Sequence, residues 1–352
     1  MVNIQSLLRE NIKNLRPYRS ARDEFKGEAE IYIDANENPF DHPYSRYPDP
    51  LQWKLKEKIA LFKNIDPKYI FLGNGSDEPI DIVIRAFCNP GVDDIIAPNP
   101  SYGMYQVSAD INDVKLIQVP LRADFTLDFD LMLATAGPQT KVAFLCSPNN
   151  PSGNVLPVEE MKNFIRKFNG LVVIDEAYID FCEQDSMKNY IEEFPNLVVI
   201  QTFSKAWGSA SIRIGMAFAN TEIISIFNKI KAPYNISNPA QEEAMKMLDQ
   251  MDILQKEIKM IIAERKRMAL ELTRFKGVLE IYPSEANFLL VKVDDANKLY
   301  HFLTSQGIIV RNRHGQLHCN NCLRITVGTP TENDIFFIKL NEYYHEKDFV
   351  FG

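Results

Sequence analysis

The residue of this sequence that is best placed for chemistry is a lysine shortly after an apolar run. The run at residues 197–200 is typical of a buried strand, and Ser204, Lys205 and Arg213 lie beyond its end. An amine attacks a carbonyl only when it is deprotonated, and burial beside other cations lowers the pKa of a lysine. Lys205 could therefore be a nucleophile, whereas most lysines in such places simply extend into water. Residues elsewhere in the chain must decide between the two.

Polar residues also follow other apolar runs, among them Tyr102, Asn150, Asp175 and Tyr178. Helical patterns separate some of these runs, which predicts an α/β protein with a mostly parallel sheet. Ligands of such sheets bind outside the carboxyl ends of the strands. We therefore expect these side chains to converge on one site.

A glycine-rich turn at residues 73–78 precedes apolar residues at helical spacing. Backbone N–H groups at the start of a helix favour phosphate. Glu78 stands where the dinucleotide fingerprint has its third glycine, so this turn does not match that motif. The whole set fits pyridoxal phosphate, whose aldehyde needs an amine, whose ring nitrogen needs an anion, and whose phosphate needs N–H groups, hydroxyls and an arginine.

These residues carry a resemblance. The chain resembles fold-type I, pyridoxal-phosphate-dependent aminotransferases and, within them, the histidinol-phosphate aminotransferase family over nearly its whole length. The matching stretches are residues 36–39, 46–48, 75–78, 101–105, 146–153, 175–178, 204–206 with Arg213, 285–288 and 322–329. One departure is Ser211, because relatives commonly carry leucine or glycine before the arginine.

The resemblance implies a large domain with a mostly parallel sheet flanked by helices, together with a smaller α+β domain. We expect residues 1–30 to pack on the small domain or on a partner subunit. Residues 31–240 should form the large cofactor-binding domain, and residues 241–352 the small domain with a long interdomain helix. The implied reaction moves an amino group between L-histidinol phosphate and 2-oxoglutarate, giving imidazole acetol phosphate and glutamate, in histidine biosynthesis.

The resemblance also assigns roles to single residues. Lys205 would be the Schiff-base lysine and proton shuttle, Asp175 the partner of the pyridine nitrogen, and Tyr178 a donor to the ring oxygen. The remaining cofactor-binding residues would be Ser76, Asp77, Tyr102, Asn150, Thr202, Ser204 and Arg213, with Tyr47 reaching the phosphate from the second subunit of a homodimer. Substrate would contact Tyr18, Asn36, Arg311 and Arg324. Arg313 is expected to be exposed to solvent.

Composition restricts the remaining possibilities. A net charge of -8 argues against nucleic acid or an anionic membrane as a partner. No apolar run is long enough to cross a bilayer and the first residues lack the apolar centre of a signal peptide, which predicts a cytoplasmic protein with reduced cysteines. His314, His318, Cys319 and Cys322 have a spacing compatible with zinc, but one such cluster is more often coincidental, and we expect no metal.

Other functions stay open at this point. A threonine-phosphate decarboxylase of the same fold would release carbon dioxide, and a broader aromatic aminotransferase would accept phenylalanine and tyrosine. A non-catalytic ligand- or metal-binding protein on the same fold would be colourless, whereas a lysine-bound pyridoxal phosphate is yellow.

Overall fold

The computed structural model describes residues 2–17 and 30–350, in which strands and helices alternate over most of the chain. The helices are α1 (Ile4–Leu7), α2 (Glu10–Lys13), α3 (Trp53–Lys63), α4 (Asp77–Phe87), α5 (Met104–Ile111), α6 (Phe129–Thr135), α7 (Val158–Lys167), α8 (Thr221–Ile230), α9 (Asn238–Leu248), α10 (Met251–Leu272), α11 (Ala296–Ser305) and α12 (Pro330–Val350). The strands are β1 (Ile70–Asn74), β2 (Asp94–Asn99), β3 (Lys115–Pro120), β4 (Thr140–Cys146), β5 (Leu171–Asp175), β6 (Leu197–Thr202), β7 (Ile214–Ala219), β8 (Val278–Ile281), β9 (Phe288–Val293), β10 (Arg311–Asn312) and β11 (Cys322–Thr326).

The larger sheet has seven strands in the order β1-β7-β6-β5-β4-β2-β3. Strand β7 runs antiparallel to β1 and β6, and the other neighbouring strands are parallel. The predicted mostly parallel α/β sheet is therefore confirmed. Because β1, β2, β4, β5 and β6 all run in one direction, the loops after them meet at one edge.

Helices cover both faces of this sheet, which explains why its central strands are apolar without alternation. Every residue of β5 and β6 is buried. Successive side chains of a strand point to opposite faces, so Val172 packs in one apolar cluster with α7, and Val173 packs in another with α4 and α8. The strand ends are thus held rigidly between two helix layers.

The smaller sheet is antiparallel, in the order β10-β11-β9-β8. It packs against α10, α11 and α12 around a separate apolar cluster that includes Met268, Leu299 and Leu340. Helix α10 also reaches the large sheet, since Leu254 joins the core there and Arg265 Nη1 donates to the Phe181 carbonyl at 3.3 Å. This long helix therefore contacts the cores of both sheets. The predicted domain boundaries stay a prediction.

The described part of the N-terminal segment packs on the large domain. Ile4, Leu8 and Ile12 join the apolar cluster of α4 and α8, and Lys229 Nζ donates to the Ile12 carbonyl at 2.6 Å. The expected contact with the small domain is not seen for these residues, and a contact with a partner subunit stays a prediction. The large domain takes this contact because the apolar spacing of the segment matches the face between α4 and α8.

None of the described helices combines the length and the apolar character needed to span a membrane.

Candidate active site

Lys205 lies three residues beyond the end of β6, where the parallel strands finish. Its Nζ is 5.7 Å from the ring centroid of Tyr178, and the side chain remains accessible to solvent. The pKa of Lys205 is lowered, first by burial of its ammonium group and then by the charge of Arg324, while Asp175 and Asp77 oppose the change. A lowered pKa increases the fraction of neutral amine, which is the form that can act as a nucleophile or base.

Asp175 ends β5 and is 2% exposed. The Tyr105 hydroxyl donates to its Oδ2 at 2.8 Å, and the Ala177 backbone N–H donates to Oδ1 at 3.1 Å. Burial nevertheless raises the pKa of Asp175 to about 6. No lysine or arginine in the described parts of the chain forms an ion pair with it. A buried carboxylate in this state would be stabilised by a cationic N–H donor.

The glycine-rich turn after β1 lies against Arg213. Gly75 has φ +71°, and a Cβ there would stand 2.4 Å from Arg213 Nη2. The Gly75 N–H donates to the Arg213 carbonyl at 2.7 Å, while Arg213 Nη2 lies 3.4 Å from Asp77 Oδ2. Ser76 is the residue preceding α4. The turn therefore places a guanidinium beside the N–H groups at the start of a helix, an arrangement that binds phosphate.

Two hydroxyls lie at the end of β6. The Ser204 backbone N–H donates to Thr202 Oγ1 at 3.1 Å, and the hydroxyl oxygens of Thr202 and Ser204 are 3.0 Å apart. On the opposite side of Asp77, the Tyr102 hydroxyl donates to Asp77 Oδ1 at 3.0 Å. The sequence-predicted residues Asp77, Tyr102 and Arg213 are therefore linked directly.

Arg324 connects the smaller sheet to this site. Its Nη1 donates to Asn150 Oδ1 at 2.6 Å, and its guanidinium lies 5.1 Å from the ring centroid of Phe288. In β10, Arg311 is directly opposite Arg324. The Nε of Arg324 is buried without a hydrogen-bond partner among the described groups. An arginine placed in this way favours an anionic ligand.

The expectation that Arg313 is solvent-exposed is wrong. The residue is partly buried, and its Nε is enclosed without a hydrogen-bond partner in the described structure. Burial, first, and then the charges of Arg324 and Arg311 lower the pKa of Arg313 to about 10. The turn after β10 causes this, because the Arg313 N–H donates to the Cys322 carbonyl at 2.9 Å and holds the residue against β11.

Asn36 and Tyr47 lie in the loop before α3. Asn36 is exposed with φ 53°, and Tyr47 stacks on Tyr234 with ring centroids 4.4 Å apart. Tyr18 lies outside the described residues. The roles assigned to all three stay predictions.

The His and Cys spacing near residue 320 does not assemble into a cluster. His318 Nε2 lies 3.0 Å from the Leu121 carbonyl, and His314 Nδ1 accepts from the Asn321 N–H at 3.1 Å. Cys319 and Cys322 are both buried. Within residues 2–17 and 30–350 no three His, Cys, Asp or Glu side chains are arranged to hold a metal ion.

Sequence reasoning missed Tyr105 as a site residue. It was seen only as part of the motif at residues 101–105, without a role. A usable signal was its spacing from Tyr102, because residues three apart at a helix start lie on the same side. The two rings are in fact edge-to-face, with centroids 5.7 Å apart.

Comparison with known proteins places this geometry in a family. A family model described as aminotransferase class I and II matches residues 28–339. The chain belongs to this aminotransferase family. Members of the family depend on pyridoxal phosphate, as the arrangement of Lys205 and Asp175 led us to expect.

Curated relatives narrow the family membership. The chain is 52% identical over 334 residues to a histidinol-phosphate aminotransferase of Parabacteroides distasonis, covering 95% of this chain and 97% of that protein. It is 49% identical to the enzyme of the same name from Bacteroides thetaiotaomicron, covering 97% and 99%. Within the class I and II aminotransferases, the chain is therefore a member of the histidinol-phosphate aminotransferase family.

Solved structures agree in fold. The histidinol-phosphate aminotransferase of Sinorhizobium meliloti, solved in complex with pyridoxal-5'-phosphate, superposes with a TM-score of 0.78 at 25% identity, covering 86% of this chain and 83% of that one. The enzyme from Clostridium acetobutylicum gives a TM-score of 0.79 at 23% identity, covering 86% and 91%. The predicted fold-type I architecture is thereby confirmed.

Proposed function

We propose that this chain transfers an amino group from L-histidinol phosphate to 2-oxoglutarate, giving imidazole acetol phosphate and glutamate, as a step of histidine biosynthesis. The observation that supports this most is the full-length similarity to curated histidinol-phosphate aminotransferases. The arginine cluster beside Lys205 is consistent with a substrate that carries a phosphate.

The described residues fit pyridoxal phosphate. Asp175 is buried and has two hydrogen-bond donors but no ion-pairing cation among the described residues, so it suits a protonated ring nitrogen. The turn at Gly75 leaves space for Arg213 that any larger residue would fill. Thr202 and Ser204 add hydroxyl donors. We infer that the phosphate contacts the Ser76 and Asp77 backbone, Thr202, Ser204 and Arg213, while Tyr102 stacks on the ring and Asn150 and Tyr178 donate to its oxygen.

When bound, pyridoxal phosphate supplies an electron sink for the charge released as a proton leaves the carbon beside the amino nitrogen. Lys205 Nζ takes that proton and returns it, because its lowered pKa makes the neutral amine available. Asp175 Oδ1 and Oδ2, fixed by their two donors, keep the ring nitrogen protonated. Tyr178, whose ring centroid is 5.7 Å from Lys205 Nζ, would donate its hydroxyl to the oxygen of the cofactor ring.

Substrate recognition requires one pocket to accept two anions in turn. Arg311 and Arg324 would bind the phosphate of histidinol phosphate, and then a carboxylate of glutamate or 2-oxoglutarate. Tyr18 and Asn36 are proposed to assist.

A homodimer is also proposed. Residues 31–47 expose Ile31 at 77%, Ile33 at 91% and Phe40 at 71%, which is costly in water unless another surface covers them. A second copy covering this loop would allow Tyr47 to reach the phosphate of its neighbour. We further propose that the protein works in the cytoplasm.

An assay of the purified protein tests this function. Histidinol phosphate with 2-oxoglutarate should give glutamate, and phenylalanine and tyrosine should be poorer donors because they carry no phosphate for Arg311 and Arg324. Threonine phosphate should release no carbon dioxide. Turnover of threonine phosphate to carbon dioxide without glutamate formation would replace the proposal with a decarboxylase.

A further inference from the structure

Tyr105 contacts Asp175 directly, and none of the roles proposed above includes it. It is 1% exposed, and its hydroxyl donates to Asp175 Oδ2 at 2.8 Å. A buried tyrosine hydroxyl needs a partner, and a carboxylate is a stronger acceptor than a neutral group. The contact is therefore a charge-assisted hydrogen bond enclosed in the protein.

The ring of Tyr105 is held from two sides. It stacks on Phe144 with centroids 4.8 Å apart and 20° between the planes, and it meets Tyr102 edge-to-face at 5.7 Å. Phe144 belongs to β4, the strand next to Asp175 in β5. The hydroxyl is consequently fixed in position relative to the carboxylate, with little freedom to follow it if it moves.

We propose that Tyr105 is a positioning residue that keeps the Asp175 carboxylate ionised and oriented toward the cofactor ring nitrogen. The proposal rests on the proposed use of pyridoxal phosphate. Tyr105 would act on the cofactor through Asp175, whose other oxygen accepts from the Ala177 N–H. Loss of the hydroxyl would leave one buried carboxylate oxygen without a donor among the described groups.

Other groups around Asp175 act on it as well. Asp77 on α4 raises the pKa of Asp175, and Lys205 beyond β6 lowers it. Cys146 at the end of β4 is buried, and the Asp175 charge raises the pKa of its thiol. Tyr102 and Tyr178 are also close, since the same charge raises the pKa of each hydroxyl. Of the influences that lower the pKa of Asp175, the Tyr105 hydrogen bond is the largest, followed by the Ala177 N–H and the charge of Lys205.

The test compares Tyr105→Phe with a matched control. Tyr105→Phe keeps the ring and its stacking on Phe144 while removing the hydroxyl. Tyr69→Phe removes a hydrogen bond from a tyrosine to the Glu192 carboxylate at the surface. Pyridoxal phosphate binding to the cofactor-free protein is measured between pH 5.5 and pH 8.5. The Asp175 carboxyl is titrated separately by infrared difference spectroscopy, with Asp175→Asn as the reference.

Without the hydroxyl, we expect the acid dissociation constant of Asp175 to fall about tenfold. The reason is that a hydrogen bond to a charged group is stronger than one between neutral groups. Below its pKa the carboxyl must lose a proton before it can pair with the ring nitrogen. The dissociation constant of the cofactor should therefore rise about fivefold at pH 6, where Asp175 is half-protonated in the unchanged protein. The difference should become small near pH 8.5, and Tyr69→Phe should match the unchanged protein throughout.

A loss of affinity equal at all pH values, or an unmoved carboxyl titration, would overturn the proposal and leave Tyr105 as packing. In the Asp175→Asn background, Tyr105→Phe should have no pH-dependent effect, and a retained effect would also overturn it. Failure of the unchanged protein to bind pyridoxal phosphate would instead contradict the proposed function. The infrared titration still reports on Tyr105 in that case.

Discussion

At the level of single residues, the proposed reaction depends on two side chains that must be in opposite states of ionisation. Lys205 must be neutral to move a proton, and Asp175 must be charged to hold one on the ring nitrogen. Burial lowers the pKa of Lys205 and raises that of Asp175, so it helps the first and hinders the second. The two hydrogen-bond donors to Asp175 counteract this effect of burial, because they stabilise the ionised carboxylate.

Asp175→Asn should separate binding from chemistry. The amide has the same shape and still accepts from Tyr105, so the fold should persist and the cofactor should still bind, although less tightly, because the amide cannot balance a protonated ring nitrogen. We expect kcat to fall by roughly 10²–10³-fold, the range seen when a preorganised electrostatic partner is removed. Steady-state kinetics check this, with the exposed Asp66→Asn as control. A near-normal kcat would exclude the electron-sink role of Asp175.

At the scale of elements, the turn from β1 into α4 shows how backbone geometry makes a binding site. Gly75→Ala adds a Cβ at φ +71° and 2.4 Å from Arg213 Nη2. The strain should cost about 1–3 kcal/mol of stability, and the displaced guanidinium should weaken cofactor binding by about tenfold. Gly137→Ala is the control, because a Cβ there has no atom within 4 Å. Equal cofactor dissociation constants for both variants would show that the turn does not hold the phosphate.

The β10–β11 pair provides a second prediction at this scale. Arg313 follows β10 and is partly buried near Arg311 and Arg324. Arg313→Gln should raise KM for histidinol phosphate about tenfold, because a phosphate dianion loses one of its nearby cations. Arg274→Gln, at an exposed arginine paired with Glu271, should leave KM unchanged. An unaltered KM in Arg313→Gln would place Arg313 outside the anion pocket.

Sequence reasoning succeeded where strand periodicity and local chemistry point the same way. The buried runs of β5 and β6 located Asp175 and Lys205 at adjacent strand ends. The prediction of exposure was wrong for Arg313. The burial of this side chain depends on how the two-residue strand β10 packs against β11, and so short a strand has no periodic pattern in the sequence. Sequence reasoning also failed to assign Tyr105, since its partner is 70 residues away and their contact depends on strand order.

At the scale of the whole molecule, buried carboxylates link stability to pH. Glu176 is 2% exposed and accepts from the Met187 N–H at 2.7 Å and Gln201 Nε2 at 2.8 Å. Burial raises its pKa from 4.5 to about 7. A raised folded-state pKa means that the folded protein binds more protons between these values, so the stability from Glu176 is present below pH 4.5 and is lost as pH rises through 7.

Glu176→Gln should remove this dependence. Between pH 5 and pH 8, the unfolding free energy of the cofactor-free protein should fall more in the unchanged chain than in the variant, by at most about 3 kcal/mol. Urea denaturation at both pH values measures the difference. Parallel decreases in the two proteins would mean that Glu176 does not titrate in this range.

The central claim is that Lys205 forms the covalent bond to the cofactor aldehyde. Purified protein is loaded with pyridoxal phosphate, reduced with borohydride, digested and mapped by mass spectrometry. We expect one phosphopyridoxyl group per chain, located on Lys205, and none in Lys205→Ala. Absence of the group, or its attachment to a different lysine, would contradict the proposed role of Lys205.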